Sequence, residues 1–265
     1  MKIAIISDIH SNLEAFLSVL NYLKENDISE IVNLGDIVGY GANPIECLEM
    51  IMYMDGYEVD NLSKDLKRAA TGFNIHTILG NHDAGVVNFT DLSYFNTMAY
   101  EAILWTRKQL QYEHITFIKK LNYSYKIDGK YSFYHSTPHL TEEWKYLIDK
   151  STAKYCLKTA KNDIIFVGHT HVPKIFIYNK EKEKIISLNP ELKEYNFREN
   201  NKYIFNPGSV GQPRDGNYMS SFLILDTKRE KIEYKRIDYE VKKAQKKIVD
   251  NNLPFFLAER LSQGN

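Results

Sequence analysis

The chain has 265 residues, enough for one large domain or two small ones with a substantial buried core. Its 43% apolar and 26% charged residues exclude a disordered or fibrous protein. The 34 basic and 34 acidic residues cancel, which argues against a surface built to coat a nucleic-acid backbone.

The apolar run at 3–6 shows no alternation and predicts a strand covered on both faces. Ser11, Asn12 and Glu14 then lead into Leu13, Phe16, Leu17 and Leu20, whose spacing predicts an amphipathic helix. "EIVNLGD" (30–36) reads as a second buried strand ending in a Gly-Asp loop. Pro44 opens a helix in "PIECLEMIMYM", at a position helices favour for proline. "NIHTILGNHD" (74–83) is a third strand and loop. Helical spacing returns in "SYFNTMAYEAILWTRKQL" (93–110) and in "EHITFIKKL" (113–121). "YSYKI" and "YSFYH" flank "DGK", a hairpin signal. A fourth strand and loop follows in "DIIFVGHTH" (163–171). After it come strand texts "KIFIYN", "KIISL", "KYIFNPG", "SSFLILD" and "KIEYKRI", then helical text at 240–251 and "PFFLAERL". Strands alternating with helices imply βαβ units and a largely parallel sheet. No repeat or linker divides the text, so a single domain over 1–265 is expected, with a helical insertion around 93–120 placed to cap the active site.

Cys47 and Cys156 lie far apart without CxxC spacing, which suits buried thiols in a reducing compartment. The short apolar run before Asp8 is too brief for a signal-peptide core, and no apolar stretch approaches a membrane span. A cytoplasmic protein with no membrane contact is expected.

In open α/β sheets, ligands bind in the crevice beyond the carboxyl ends of the strands. Those ends carry Asp8 and His10, then Asp36, then Asn81, His82 and Asp83, then His135, and finally His169 and His171. Residues i and i+2 of an extended segment point the same way, so Asp8 with His10, and His169 with His171, can each flank one location. Mixed oxygen and nitrogen donors suit Mn, Fe or Zn over Ca or Mg. Asp8, His10, Asp36, Asn81, His135, His169 and His171 are more donors than one ion needs. They suffice for two ions about 3.5–4 Å apart.

Five blocks in order, "DIH" (8–10), "GD" (35–36), "GNHD" (80–83), His135 and "GHTH" (168–171), resemble the calcineurin-like metallophosphoesterase superfamily. "NPGSVGQPR" (206–214) resembles its bacterial and archaeal phosphodiesterase-like branch. The resemblance implies a four-layer αββα sandwich of two mixed β-sheets flanked by helices. It also implies two metal ions, with manganese favoured and iron or zinc as other occupants. Asp8, His10 and His171 would hold one; Asn81, His135 and His169 the other; Asp36 would bridge. The activity implied is hydrolysis of a phosphodiester or phosphomonoester of a small, nucleotide-like substrate by a hydroxide shared between the ions, whose acidity is raised at such a site.

His82 is then placed to protonate the leaving group, and Asp83 to accept a hydrogen bond from its other ring nitrogen. Arg214 either reaches the phosphate or is a surface arginine on a turn. Tyr40 either stacks on a nucleobase or covers its loop, and His139 is a candidate contact to substrate or ligands. His76 reads as structural and His114 as a helix-start residue. The lysines of "KKAQKK" (242–247) read as a solvated helix face, and Trp105 as packing.

The protein-phosphatase branch and the dinucleoside polyphosphate hydrolases carry Asp-Arg-Gly where this chain has Gly39-Tyr40-Gly41. That departure makes both activities alternatives to a small phosphoester. A nuclease is disfavoured by the balanced charge, and a non-catalytic scaffold of the same fold by the intact donor set.

Overall fold

A computed structural model describes residues 1–191 and 194–265. In chain order the elements begin β1 (Lys2–Ile6), α1 (Leu13–Glu25), β2 (Glu30–Asn33), α2 (Pro44–Met54), α3 (Lys64–Ala70), β3 (Asn74–Thr77) and α4 (Asn81–Val86). Then come α5 (Thr97–Gln109), α6 (Tyr112–Lys120), the hairpin β4 (Ser124–Ile127) and β5 (Tyr131–Tyr134), α7 (Lys150–Thr159) and β6 (Ile164–Val167). The chain continues through β7 (Lys174–Asn179), β8 (Lys184–Leu188), β9 (Glu194–Asn196), β10 (Asn201–Asn206), β11 (Ser220–Asp226) and β12 (Lys231–Ile237). It closes with α8 (Val241–Asp250) and α9 (Phe255–Gln263).

The strands form two six-stranded sheets, ordered β3-β2-β1-β11-β12-β9 and β4-β5-β6-β10-β7-β8. Each is mixed. In the first, β1 runs parallel to β2 and antiparallel to β11; in the second, β6 runs parallel to β5 and β10, and β10 antiparallel to β7.

Side-chain alternation explains why each sheet is covered on both faces. On β1, Ile3 and Ile5 enter the core between the sheets, while Ala4 and Ile6 face the helices of the first sheet. On β6, Ile164 and Phe166 point inward, while Ile165 and Val167 pack under α7 with Cys156 and Leu157. A two-sided strand must be apolar at consecutive positions, which is what the unbroken runs signalled. The inner core is aromatic-rich, with Phe133 stacked on Phe166 at 5.1 Å. The result is the αββα sandwich, with most helices on one side and α7 on the other.

Four expectations change in detail. The predicted 93–110 helix is split into a short 3-10 turn at Leu92–Tyr94 and α5, because Asn96 accepts from the Ala99 N–H and restarts the chain as a cap. The "GNHD" text is not a loop beyond a strand but the first turn of α4, with Gly80 as its cap. Helices α3 and α7 and strand β9 were not expected at all. The basic face of α8 is only partly solvated: Lys247 reaches the buried Glu14 at 2.7 Å and Asn43 at 2.9 Å, tying α8 to α1 and to the loop behind Asp36.

Of the 93–120 segment, Tyr94, Phe95, Asn96 and Ala99 border a cavity. The rest of α5 and α6 joins the helical layer, with Ile103, Phe117 and Ile118 in its core.

Candidate metal centre

The loops after β1, β2, β3, β5 and β6 end on one floor, and the structure gathers all seven expected donors there. Asp8, His10, Asp36, Asn81, His135, His169 and His171 are buried. Three sets bring their donor atoms within 4.8 Å of one another: Asp8, His10 and His171; Asp36, His135 and His169; and His10, Asp36 and His82. Asn81 joins through Oδ1, 3.0 Å from His135 Nε2.

Convergence does not come from extended backbone, as the i, i+2 argument supposed. Asp8, His10, Asp36, His169 and His171 all have positive φ, between 49° and 67°. Such conformations cost about 1 kcal/mol or more each for residues with a Cβ. Backbone bonds between loops hold them: Asp8 N–H donates to Gly35 O and His10 N–H to Asp36 O, each at 3.0 Å. The "NPGSVGQPR" segment holds the first loop from the other side. Ser209 Oγ donates to Asp8 O, and Asn12 Nδ2 to Gly211 O, each at 2.8 Å.

The chemistry of the floor follows from where the ring nitrogens point. His10 Nδ1 lies 2.9 Å from Val38 O, His135 Nδ1 2.8 Å from Leu34 O, and His171 Nδ1 2.7 Å from Gln212 O. His169 is turned the other way, with Nε2 2.8 Å from Trp144 O. A carbonyl only accepts, so each of these nitrogens carries the hydrogen and donates it. The opposite nitrogen of a neutral ring is therefore a bare lone pair.

His10 Nε2 and His171 Nε2 stand 3.0 Å apart. Burial holds both rings below the ordinary histidine pKa, so they are neutral and neither has a hydrogen to give the other. Asp8 Oδ1 is 3.2 Å from the same His171 nitrogen. Asp8 Oδ1 and Asp36 Oδ2 are buried without a hydrogen-bond partner. Lone pairs and carboxylate oxygens packed this closely repel unless a cation lies among them. His135 differs from the other rings: burial alone would lower it, yet the Asp36 carboxylate raises it to about 9, so without metal its Nε2 carries a proton that a bound ion would displace. The donor set thus fits divalent metal ions of mixed N/O preference.

His82 stands beside this floor, its ring 4.8 Å from that of His10 and 4.4 Å from that of Tyr40. Gly39 makes the approach possible: its φ is 94°, and a Cβ there would lie 2.4 Å from His82 Nδ1. Asp83 is not the partner of that ring. Its carboxylate turns back and accepts N–H bonds from Asp36 at 2.8 Å, Val38 at 3.1 Å, Gly80 at 3.2 Å and Ile37 at 3.3 Å. As the third residue of α4 it is close enough to close the helix's own cap, and that satisfies four buried donors at once. Asp83 is a clamp on the Asp36 loop, and His82 Nδ1 is left without a partner. Burial first, then Arg214 and neighbouring imidazoles, push His82 down to about 4 against the pull of Asp36.

Arg214 lines the cavity above the floor, donating to Gln212 Oε1 at 2.7 Å, with its guanidinium 5.5 Å over the Tyr40 ring. Tyr40 is only 6% exposed and packed on His10 and His82, so it covers its loop and offers no free face to a base. His139 is not at the cavity. It is exposed and packs edge-on against Tyr155 of α7, because the chain after His135 turns away over the second sheet. His76 stacks on Tyr125 at 3.6 Å, and His114 accepts from Gln111 N–H at the start of α6.

Sequence reasoning missed the cavity's second wall, Glu142 to Tyr146. Tyr146 stacks on His169 at 4.1 Å, and Trp144 supplies the carbonyl that orients it. "EEWKY" has no periodicity, but a cluster of two aromatics among charges between two site histidines was a usable signal. The cavity measures about 570 Å³. Among the described residues no helix is long and apolar enough to cross a membrane.

The family model for the calcineurin-like phosphoesterase superfamily domain matches residues 1–230. An uncharacterized protein of Methanocaldococcus jannaschii is 43% identical over 268 residues, covering 99% of this chain and 98% of its own. The crystal structure of a metallophosphoesterase from Sphaerobacter thermophilus superposes with a TM-score of 0.80 at 32% identity, covering 100% of this chain and 99% of that one. A hypothetical protein from Pyrococcus horikoshii shares the fold at a TM-score of 0.74 and 18% identity, covering 100% and 98%. Fold, motif order and family match agree: the chain belongs to the calcineurin-like phosphoesterase superfamily.

Proposed function

We propose that the protein is a binuclear metal-dependent hydrolase of small phosphodiesters or phosphomonoesters. The observation that carries this is the hydrogen-bond direction at the floor: histidines fixed as donors to carbonyls, with their bare nitrogens converging on carboxylate oxygens that have no partner. Asp8, His10 and His171 would hold one ion, Asn81, His135 and His169 the second, with Asp36 between them. Such ions supply Lewis acidity at phosphorus and an acidified water; manganese is the favoured activator, with iron or zinc as other occupants.

The chain's own groups do the rest. Arg214 orients the phosphoryl oxygens with its fork of N–H donors. Asp83 fixes the backbone that presents Asp36. His82 carries a proton toward the leaving oxygen once an anionic ester in the cavity raises its pKa from the low value burial imposes. The buried thiols of Cys47 and Cys156 are free, in keeping with a cytoplasmic location.

The test is a panel assay on metal-stripped protein reloaded with Mn²⁺: a chromogenic monoester, a chromogenic diester, a 2′,3′-cyclic nucleotide, a dinucleoside polyphosphate and single-stranded DNA. Hydrolysis of a small ester that chelation abolishes is expected, with two ions bound per chain. Bound metal without turnover of any substrate would assign the chain to a scaffold role instead.

A further inference from the structure

We infer that the cavity over the floor is a nucleoside subsite: the ester's alcohol side carries a flat nitrogenous ring held between Tyr94 and Tyr146. This rests on the phosphoesterase reading for the position of the phosphate, and goes beyond it in naming what the rest of the substrate must be.

Two segments far apart in sequence make the slot. One wall is Tyr94 and Phe95, just ahead of α5; the other is Trp144 and Tyr146. Tyr94 is 85% exposed and Tyr146 52% exposed. Exposed aromatics occur elsewhere on this surface, but these two border one cavity whose floor is the donor cluster. Tyr146 is not loose, since its ring lies parallel to His169 at an interplanar angle of 8° and shares that ring's orientation. One of its faces is therefore occupied, and the ring is presented as a fixed platform.

The volume of about 570 Å³ falls within the roughly 300–1,000 Å³ of small-molecule sites. With the phosphoryl group placed by Arg214 and the floor, the remaining space is bordered by Tyr94, Phe95, Trp144 and Tyr146 with polar side chains among them. Flat partners gain most there, because every base offers a π-face for stacking. Among the polar groups on the same walls, Asn96 and Glu142 favour a nitrogen base over a phenol. Asn96 commits Oδ1 to the Ala99 N–H, which leaves its amide N–H groups as donors; Glu142 offers a carboxylate to ring or exocyclic N–H groups.

The experiment separates the subsite from the reaction. The Trp105→Phe protein keeps Trp144 as its single tryptophan, in the cavity wall. Titrating it with adenosine 5′-monophosphate should quench its emission saturably, whereas glycerol 3-phosphate should not. In the Mn²⁺-loaded protein, kcat/KM for phosphate release from adenosine 5′-monophosphate is compared with that from glycerol 3-phosphate in the native chain, Tyr94→Ala and Tyr146→Ala. The ratio should fall about ten-fold in each variant, through KM, as loss of a stacking face predicts. Tyr112→Ala, an equally exposed tyrosine outside the cavity, should keep the native ratio. Saturable quenching without hydrolysis of any ester would leave the subsite standing and overturn the phosphoesterase reading. Hydrolysis with no quenching, or with both variants at the native ratio, would overturn the subsite alone.

Discussion

The interior between the sheets and the floor at the strand ends are both buried, yet they are opposites. Between the sheets, Ile5, Phe133, Phe166 and Phe205 are in ordinary strand geometry, and contact alone stabilises them. At the floor, a few residues further along the same strands, Asp8, Asp36 and His171 adopt left-handed backbone and buried oxygens lack partners. The floor is not folded for its own sake. Its backbone is strained and it leaves buried oxygens without hydrogen-bond partners, and the sandwich beneath it holds it in place. Three substitutions break the two regions apart, and a fourth makes the contrast sharper.

Asp83 should be the most sensitive position, because it belongs to both regions. Asp83→Ala would strand four buried N–H groups, each costing about 1–3 kcal/mol when unpaired. A loss above about 4 kcal/mol is expected in urea unfolding, together with loss of bound metal as the Asp36 loop relaxes. Normal stability in this variant would return Asp83 to a role on His82. Phe133→Ala, wholly within the inter-sheet core, should cost about 3–5 kcal/mol. Metal stoichiometry in the surviving folded fraction should be unaffected, and a drop in it would mean the two regions are not separable. His82→Ala should do the reverse. Turnover falls about 10²–10⁴-fold while metal content survives, and unchanged turnover would remove His82 from the chemistry.

The same divide explains what was legible in the sequence. The apolar runs of β1, β6 and β10 announce their two-sided burial, since period and burial are local consequences of the text. The donors were legible by identity, because few side chains bind metals and each followed a strand. What the donors rest on was not. Asp83 meets Asp36 and Val38 across 47 and 45 positions of sequence, and only the folded chain brings that turn under them. The left-handed φ of His169 and His171 carries no glycine to mark it. Tyr146 belongs to an aperiodic loop, and its contact with His169 is tertiary. Helix α7 was legible and overlooked: Asp149 is an N-cap, and Ala153, Cys156 and Leu157 have helical spacing.

The smallest expected effect sharpens the comparison most, because its sign is unusual. Asp8 Oδ2 accepts the His169 N–H at 3.1 Å, while Oδ1 faces the bare Nε2 of His171 at 3.2 Å. In Asp8→Asn the amide keeps the first bond and offers an N–H to the second, so a repulsive contact becomes a hydrogen bond and a buried charge disappears. In excess chelator the variant should be more stable than the native chain by about 1 kcal/mol, the net worth of one hydrogen bond. Adding Mn²⁺ should reverse the order. Ligand that binds only the folded state stabilises by about 2.7 kcal/mol at a hundred times its Kd, and the native carboxylate binds the ion more tightly. Thermal unfolding with and without metal reads both signs in one experiment. An Asp8→Asn protein less stable than native in chelator would mean that the floor is satisfied as protein, and that its donors do not converge for the sake of a cation.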